Sequence, residues 1–201
     1  SIMAGGGQAS PAQAPVTQTT TQTAPAEDPY AHFGGQHHAN LYKAIVGAEH
    51  RGTDIGNPLD YNAGQYIRTR DTTGKSTAYG PAQITKSTAA GFMRTQPDLF
   101  KGQEDYVKQY VAQGQSMLGN VKAGDVCGPG GCGSLSDEKY HKPYQQMASG
   151  VMRGKMRELK IDDTKEMSAQ DRERFIQSWR GVSRQQDPKY YAAIDAAYKA
   201  N

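Results

Sequence analysis

Two pieces of the 201-residue chain carry residue types that can do chemistry: "AEH" at residues 48–50 and "STAYGPAQITKSTA" at residues 76–89. Glu49 falls at the last turn of an apolar stripe in "ANLYKAIVGAEHR", four residues after Ile45. A carboxyl at a helix C-terminus feels the negative end of the macrodipole, and apolar neighbours leave it poorly solvated. Both effects raise its pKa and favour the protonated form, as a general acid requires. Downstream, Ser76, Tyr79, Gly80 and Gln83 make a Ser-x-x-Tyr-Gly-x-x-Gln pattern. The Gly80-Pro81 pair forces a turn. Glycine lets backbone approach a ligand closely, and the Gln83 amide offers both a donor and an acceptor. A helix end and a turn of this kind can build one wall of a cleft.

Other elements must hold that wall in place. Leu41, Ala44, Ile45 and Ala48 stand at helical spacing, and Gly52 with Asn57-Pro58 ends the helix. "QYIRTR" alternates as a short strand does, and "DTTGK" is expected to turn it back into a small hairpin. Thr85 or Ser87 can cap the next helix, which carries Ala89, Ala90 and Phe92 and stops before Pro97. Tyr106, Val107, Tyr110, Val111, Met117 and Leu118 share one face of a further helix, and residues 119–136 read as a Gly-rich loop. The helix with Met147, Val151, Met152, Met156 and Leu159 reads as core packing rather than an adaptable binding face. Ser168 caps a helix that buries Phe175, Ile176 and Trp179. Asp187-Pro188 is an N-cap with Pro at the first helical position, opening a last helix with Tyr191, Ile194 and Tyr198. There is no internal repeat. The expected class is mainly α with a small β-hairpin, α+β.

Residues 1 to about 28 are dominated by Gly, Gln, Thr, Ala and Pro and have almost no large apolar side chains. Such a segment cannot offset its ordering entropy by burial. The chain is therefore read as a flexible low-complexity tether over 1–35 and one domain over 36–201. The His37-His38 pair at the junction reads as a solvated linker end rather than a metal site. A net charge of +3 falls short of the basic stripe of a dedicated nucleic-acid binder. No apolar run has the length of a membrane span, and no charged-then-apolar leader pattern opens the chain. Cys127 and Cys132 in "CGPGGC" suit a disulfide-closed loop, two free thiols or, with His141, a zinc site lacking a fourth ligand at usual spacing. Asp54, Asp60 and Asp71 read as turn formers, any one of which is open as a second carboxylate.

With those motifs in hand, the chain resembles the lysozyme-like superfamily, and within it lytic transglycosylases and lambda-type phage endolysins. The resemblance runs directly over about residues 41–92. In transglycosylases a catalytic Glu closes a helix and a Ser-x-x-Gly-x-x-Gln motif leads into a Thr-Ala helix start. Lambda-type endolysins have a similar Glu, a hairpin and a Ser-Thr-x-x-Gly-x-Tyr-Gln stretch. Glu49 matches the Glu, and Ser76, Gly80 and Gln83 match the second motif. Two departures stand out. His50 follows Glu49 where transglycosylases typically carry Ser. "YNAG" at 61–64 precedes the Gln motif instead of following it, which leaves the tyrosine partner of the Glu unassigned; a late tyrosine such as Tyr191 can serve.

The resemblance implies a lysozyme-like fold and cleavage of the β-1,4 bond between N-acetylmuramic acid and N-acetylglucosamine in peptidoglycan. Glu49 would be the general acid and base, and Ser76, Tyr79, Gly80 and Gln83 would contact substrate, with Tyr79 open as either core or cleft wall. It implies no cofactor, no metal, peptidoglycan glycan strands as partner, and an extracytoplasmic setting: virion-associated, secreted or periplasmic. The tether offers a link to other virion or envelope proteins. Two rival readings stay open: a hydrolytic lysozyme in which an Asp activates water, and a wall-binding or structural virion protein that has lost activity.

Overall fold

In the computed structural model the described residues are 28–60, 76–117 and 138–199. Added to these are 5–7, 10–17, 19, 21 and 24 of the N-terminal segment and the residue pairs 66–67 and 126–127. The described part is mainly helical. It comprises α1 (Gln36–Glu49), α2 (Lys86–Thr95), α3 (Glu104–Met117), α4 (His141–Glu158), α5 (Ala169–Arg180) and α6 (Pro188–Lys199), with two-residue strands β1 (Tyr66–Ile67) and β2 (Val126–Cys127).

Helix α4 is the axis of the core. Tyr144, Met147, Ala148, Val151 and Met152 have no exposed surface, and α1, α2 and α5 pack on them. The methionine stripe is therefore core packing, as its spacing predicts. Gly154 explains how α2 comes so near. A Cβ there would stand 2.6 Å from the Phe92 ring, which occupies that space. Helix α1 buries its predicted stripe and adds Tyr42 and Val46, while α6 lies along it with Tyr190, Tyr191 and Ile194 inside. Each such large apolar side chain contributes about 1.5–3 kcal/mol when fully buried. The helix starts follow local chemistry. Thr85, not Ser87, caps α2 by accepting the Thr88 N–H, and Ser168 caps α5 by accepting from Asp171. Asp187 accepts the Tyr190 N–H at the start of α6.

Two expectations need correction, and one strand has a partner that the sequence did not indicate. The strand at 66–67 pairs antiparallel with 126–127, Tyr66 opposite Cys127 and Ile67 opposite Val126; the expected "DTTGK" turn at 71–75 lies outside the described residues. Turn-forming residues predict where a chain can reverse; which strand it meets depends on tertiary context. The folded body also begins before residue 36. A 3-10 turn at Ala31–Phe33 seats Phe33 in the core, and the Ser149 hydroxyl donates to the Phe33 carbonyl. Finally, His38 is no solvated linker end. It is buried on α1, where desolvation first and the Arg153 charge second lower its pKa. Cys132 and Asp71 lie outside the described residues, so the proposed cysteine pairing and the Asp71 turn do too.

Of the N-terminal segment, 5–7 and 10–17 are exposed and carry no regular structure. Deleting residues 1–27, which keeps the Asp28 carboxylate that accepts the Tyr30 N–H, is expected to leave the melting temperature within about 2 °C. Thermal unfolding of the two chains checks this; a large drop would place that segment on the body.

Candidate active site

Glu49 is the last residue of α1, and its side chain is half-buried. The helix ends because the chain leaves helical geometry at His50, whose N–H still bonds the Val46 carbonyl. From α6, the buried Tyr190 hydroxyl donates to Glu49 Oε1 at 2.9 Å. Burial is the main influence on the carboxyl and raises its pKa above the usual value, and Asp187 pushes the same way. The Tyr190 hydrogen bond and the charges of Arg180 and Arg51 offset part of that rise. Tyr190 itself is held neutral, its pKa pushed up by burial and then by Glu49, so it remains the donor.

The second motif forms a compact loop held from beneath. Tyr79 and Ile84 bridge across it, and Gln83 N–H donates to the Gly80 carbonyl. Gln83 has a positive φ of 52°, and its side-chain amide also donates to the Gly80 carbonyl, at 2.9 Å. The buried Tyr144 hydroxyl supports the loop from α4, donating to the Tyr79 carbonyl at 2.8 Å and accepting the Ala82 N–H at 3.1 Å. Gly80 has φ +79°, and a Cβ there would lie 2.5 Å from the Tyr144 ring. Only glycine meets both conditions. Ser76 is half-buried and accepts the Ala78 N–H at 3.2 Å, and Thr77 accepts the Lys86 N–H.

The two motifs meet through His50. Its buried ring places Nε2 2.9 Å from the Pro81 carbonyl, which fixes the end of α1 against the Gly80–Gln83 turn. Glu49, Gly80 and Gln83 thus belong to one region. Tyr79 does not line a cleft: its side chain is 2 % exposed and packs near the Tyr110 ring, which settles it as core. Asp54 accepts the Gly56 N–H in a turn, as predicted, and Asp60 sits in the next turn.

Sequence reasoning pointed to Tyr191 as a partner tyrosine, but Tyr191 donates to the Val182 carbonyl while its neighbour Tyr190 reaches Glu49. The Asp187-Pro188 helix start located the right turn of chain; spacing alone could not choose between adjacent tyrosines. Arg51 and Arg180 also escaped notice. Arg51 Nη1 donates to the Ala48 carbonyl, and both guanidinium groups lie over the Tyr190 ring, at 5.5 and 4.8 Å from its centroid. Asp187 bridges them, 3.2 Å from Arg180 Nε and 4.0 Å from Arg51 Nη2.

Among the described residues no group of three or more His, Cys, Asp or Glu side chains could hold a metal ion, and no helix is long and apolar enough to cross a membrane. Comparison with protein-family models, curated proteins and solved structures finds no match.

Proposed function

We propose that the chain cleaves peptidoglycan glycan strands between N-acetylmuramic acid and N-acetylglucosamine as a lytic transglycosylase, on a lysozyme-like fold. The observation that carries this reading is the Glu49 carboxyl: at a helix end, half-buried, oriented by Tyr190, and tied through His50 to the Gly80–Gln83 turn. Burial keeps a proton on the carboxyl to higher pH than an ordinary glutamate does. Glu49 gives that proton to the glycosidic oxygen as the bond to the muramic acid breaks, and the substrate's own N-acetyl oxygen stabilises the anomeric centre. The Glu49 carboxylate then takes the proton of the muramic acid C6 hydroxyl as that oxygen closes on the anomeric carbon. A 1,6-anhydro end forms and no water is added. Ser76 and Gln83, both partly exposed, are the polar edges for substrate contact on the turn.

This route needs one carboxylate. Asp187 is a second one nearby, yet its oxygens pair with Arg180 and Arg51 and cap α6, which favours a structural role over activation of water. Digestion of purified peptidoglycan followed by mass spectrometry tests the reading. Anhydro muropeptides, lighter by one water than hydrolytic products, are expected. Hydrated products alone would favour the lysozyme route, and no turnover would favour a wall-binding protein.

Tyr190→Phe should lower turnover about tenfold, because the carboxyl loses its orienting donor. Its pH profile gives the sharper readout. The hydroxyl favours the charged form of Glu49, so its loss raises the Glu49 pKa further. The acid then stays protonated to higher pH, and the alkaline limb of the rate profile should move up. A limb that moves down would contradict this role.

A further inference from the structure

We propose that Arg51 and Arg180 form a subsite for a carboxylate carried by the glycan, set against the Glu49–Tyr190 pair. This rests on the reading of Glu49 as the acid of a glycan-cleaving site. The two arginines come from different parts of the chain, the loop after α1 and the end of α5, and converge on one tyrosine ring. Their side chains are 37 % and 40 % exposed, so the guanidinium groups remain within reach of a ligand. Asp187 supplies one negative charge to two positive ones. One of its contacts is a hydrogen bond from Arg180 Nε at 3.2 Å; the other, to Arg51 at 4.0 Å, is beyond hydrogen-bond length. With Glu49 protonated, the four groups Arg51, Arg180, Asp187 and Glu49 sum to one excess positive charge.

A planar guanidinium fork matches a carboxylate geometrically and electrostatically. Peptidoglycan carries carboxylates beside the scissile bond, either on the lactyl ether of peptide-free muramic acid or on the stem peptide. Chitin carries none. The subsite therefore selects acidic glycan over its neutral analogue, a discrimination that the Glu49, Ser76 and Gln83 positions do not supply.

The arrangement has a second consequence. Arg180 and Arg51 favour the ionised form of Glu49, against the protonated state that the acid step needs. A ligand carboxylate seated on them cancels that effect. Binding of the acidic glycan and protonation of Glu49 then favour each other, by reciprocal linkage. The groups that face Glu49 in this balance are Tyr190 from α6, Asp187 just before that helix, Arg180 from α5 and Arg51 from the loop after α1.

The test measures binding to the full chain carrying Glu49→Gln, which cannot turn over and holds the neutral state permanently. Three probes are titrated: chitotetraose, the peptide-free alternating tetrasaccharide with lactyl carboxylates, and the same tetrasaccharide bearing stem peptides. At least one acidic probe should bind about tenfold more tightly than chitotetraose, the scale of one charge-assisted hydrogen bond. Which acidic probe gains identifies the carboxylate. The ratio should fall towards one in Arg51→Gln/Arg180→Gln, recover in part with the two Lys replacements, and stay unchanged in Arg157→Gln, whose partner Asp98 belongs to another surface. Raising the salt concentration should shrink the ratio in the Glu49→Gln chain without the arginine changes, a readout independent of how well the variants fold. On the enzyme with Glu49 intact, KM for the preferred acidic glycan should rise with pH more steeply than KM for chitotetraose. Equal binding of all three probes, or a ratio unmoved by the double Gln change, overturns the subsite while cleavage by the unmodified enzyme leaves the glycosidase reading standing. Failure to bind any glycan or to cleave peptidoglycan overturns both.

Discussion

Glu49→Gln should lower peptidoglycan turnover by at least about 10²–10⁴-fold and, at neutral to alkaline pH, raise the melting temperature. The amide keeps the size of the carboxyl and still accepts the Tyr190 hydrogen bond, but it can neither give nor take the proton. In the single-carboxylate route the same group acts twice, so the loss should reach or exceed the upper end of that range. Asp54→Asn and Asp60→Asn should leave turnover within about twofold, because their roles are in turns. An Asp variant as inactive as Glu49→Gln would identify a second carboxylate and the hydrolytic route.

The stability half of this prediction follows from the raised pKa. Burial disfavours the charged carboxylate in the folded chain, so the folded pKa lies above the unfolded one. The resulting stabilisation is fully present below the ordinary carboxylate pKa and is lost as pH rises through the folded value. Gln carries no such dependence. The difference in melting temperature, variant minus parent, should therefore be small near pH 4 and grow towards pH 8. Other titrating groups are common to both chains and cancel in the difference. A difference that stays flat across that range would mean that Glu49 is not held towards its neutral form. An active Glu49→Gln protein would remove the chemistry from this site altogether.

The helices were legible from the chain because each carries an apolar stripe, and α2, α5 and α6 carry a start signal as well. Leu41, Ala44, Ile45 and Ala48 are buried as their spacing requires, and Thr85, Ser168 and Asp187 cap where side-chain chemistry puts them. The β pairing was not legible. Tyr66–Ile67 finds its partner about sixty residues away, and period-two alternation says nothing about partners. Glu49 and the Gly80 turn were readable for the same local reasons: a helix end and a Gly-Pro turn are encoded within a few residues. What joins them was hidden. His50 reaches the Pro81 carbonyl 31 residues on, and Tyr190 reaches Glu49 across 141. Contacts of that separation leave no periodic trace, and a polar residue beside a candidate acid looks the same in sequence whether it bonds solvent or a distant carbonyl. Tyr79 was open between core and cleft wall, and the structure places it in the core. Its place in the motif suggested a ligand contact, yet its carbonyl takes the Tyr144 hydroxyl and its ring fills the core.

Gly80→Ala should be the most damaging single methyl group added to the turn, lowering stability by about 2–4 kcal/mol. Two costs combine. At φ +79° a left-handed conformation costs an L-residue roughly 1–2 kcal/mol, and the new Cβ would stand 2.5 and 2.6 Å from two Tyr144 ring carbons. Overpacking of that kind typically costs about 1–3 kcal/mol. Tyr144 cannot swing aside cheaply, because its hydroxyl is bonded to both the Tyr79 carbonyl and the Ala82 N–H; moving it would leave the Ala82 N–H unpaired in the interior and the Tyr79 carbonyl with only the 3.4 Å contact from the Tyr110 hydroxyl. In a chain of this size the loss corresponds to roughly a 5–15 °C lower melting temperature. Gly91→Ala is the matched control. It lies within α2, nothing stands within 4 Å of an added Cβ, and helix propensity alone should raise stability by up to about 1 kcal/mol. Opposite signs at two glycines eleven residues apart would show that the turn is held by Tyr144 rather than merely intolerant of change. The turn's function should suffer beyond its stability. If the alanine forces the Gly80–Gln83 loop off Tyr144, the Pro81 carbonyl moves relative to His50, and Glu49 loses its fixed distance to the turn. Turnover should then fall even well below the variant's melting temperature, whereas a purely stabilising role for the loop predicts full activity once the chain is folded.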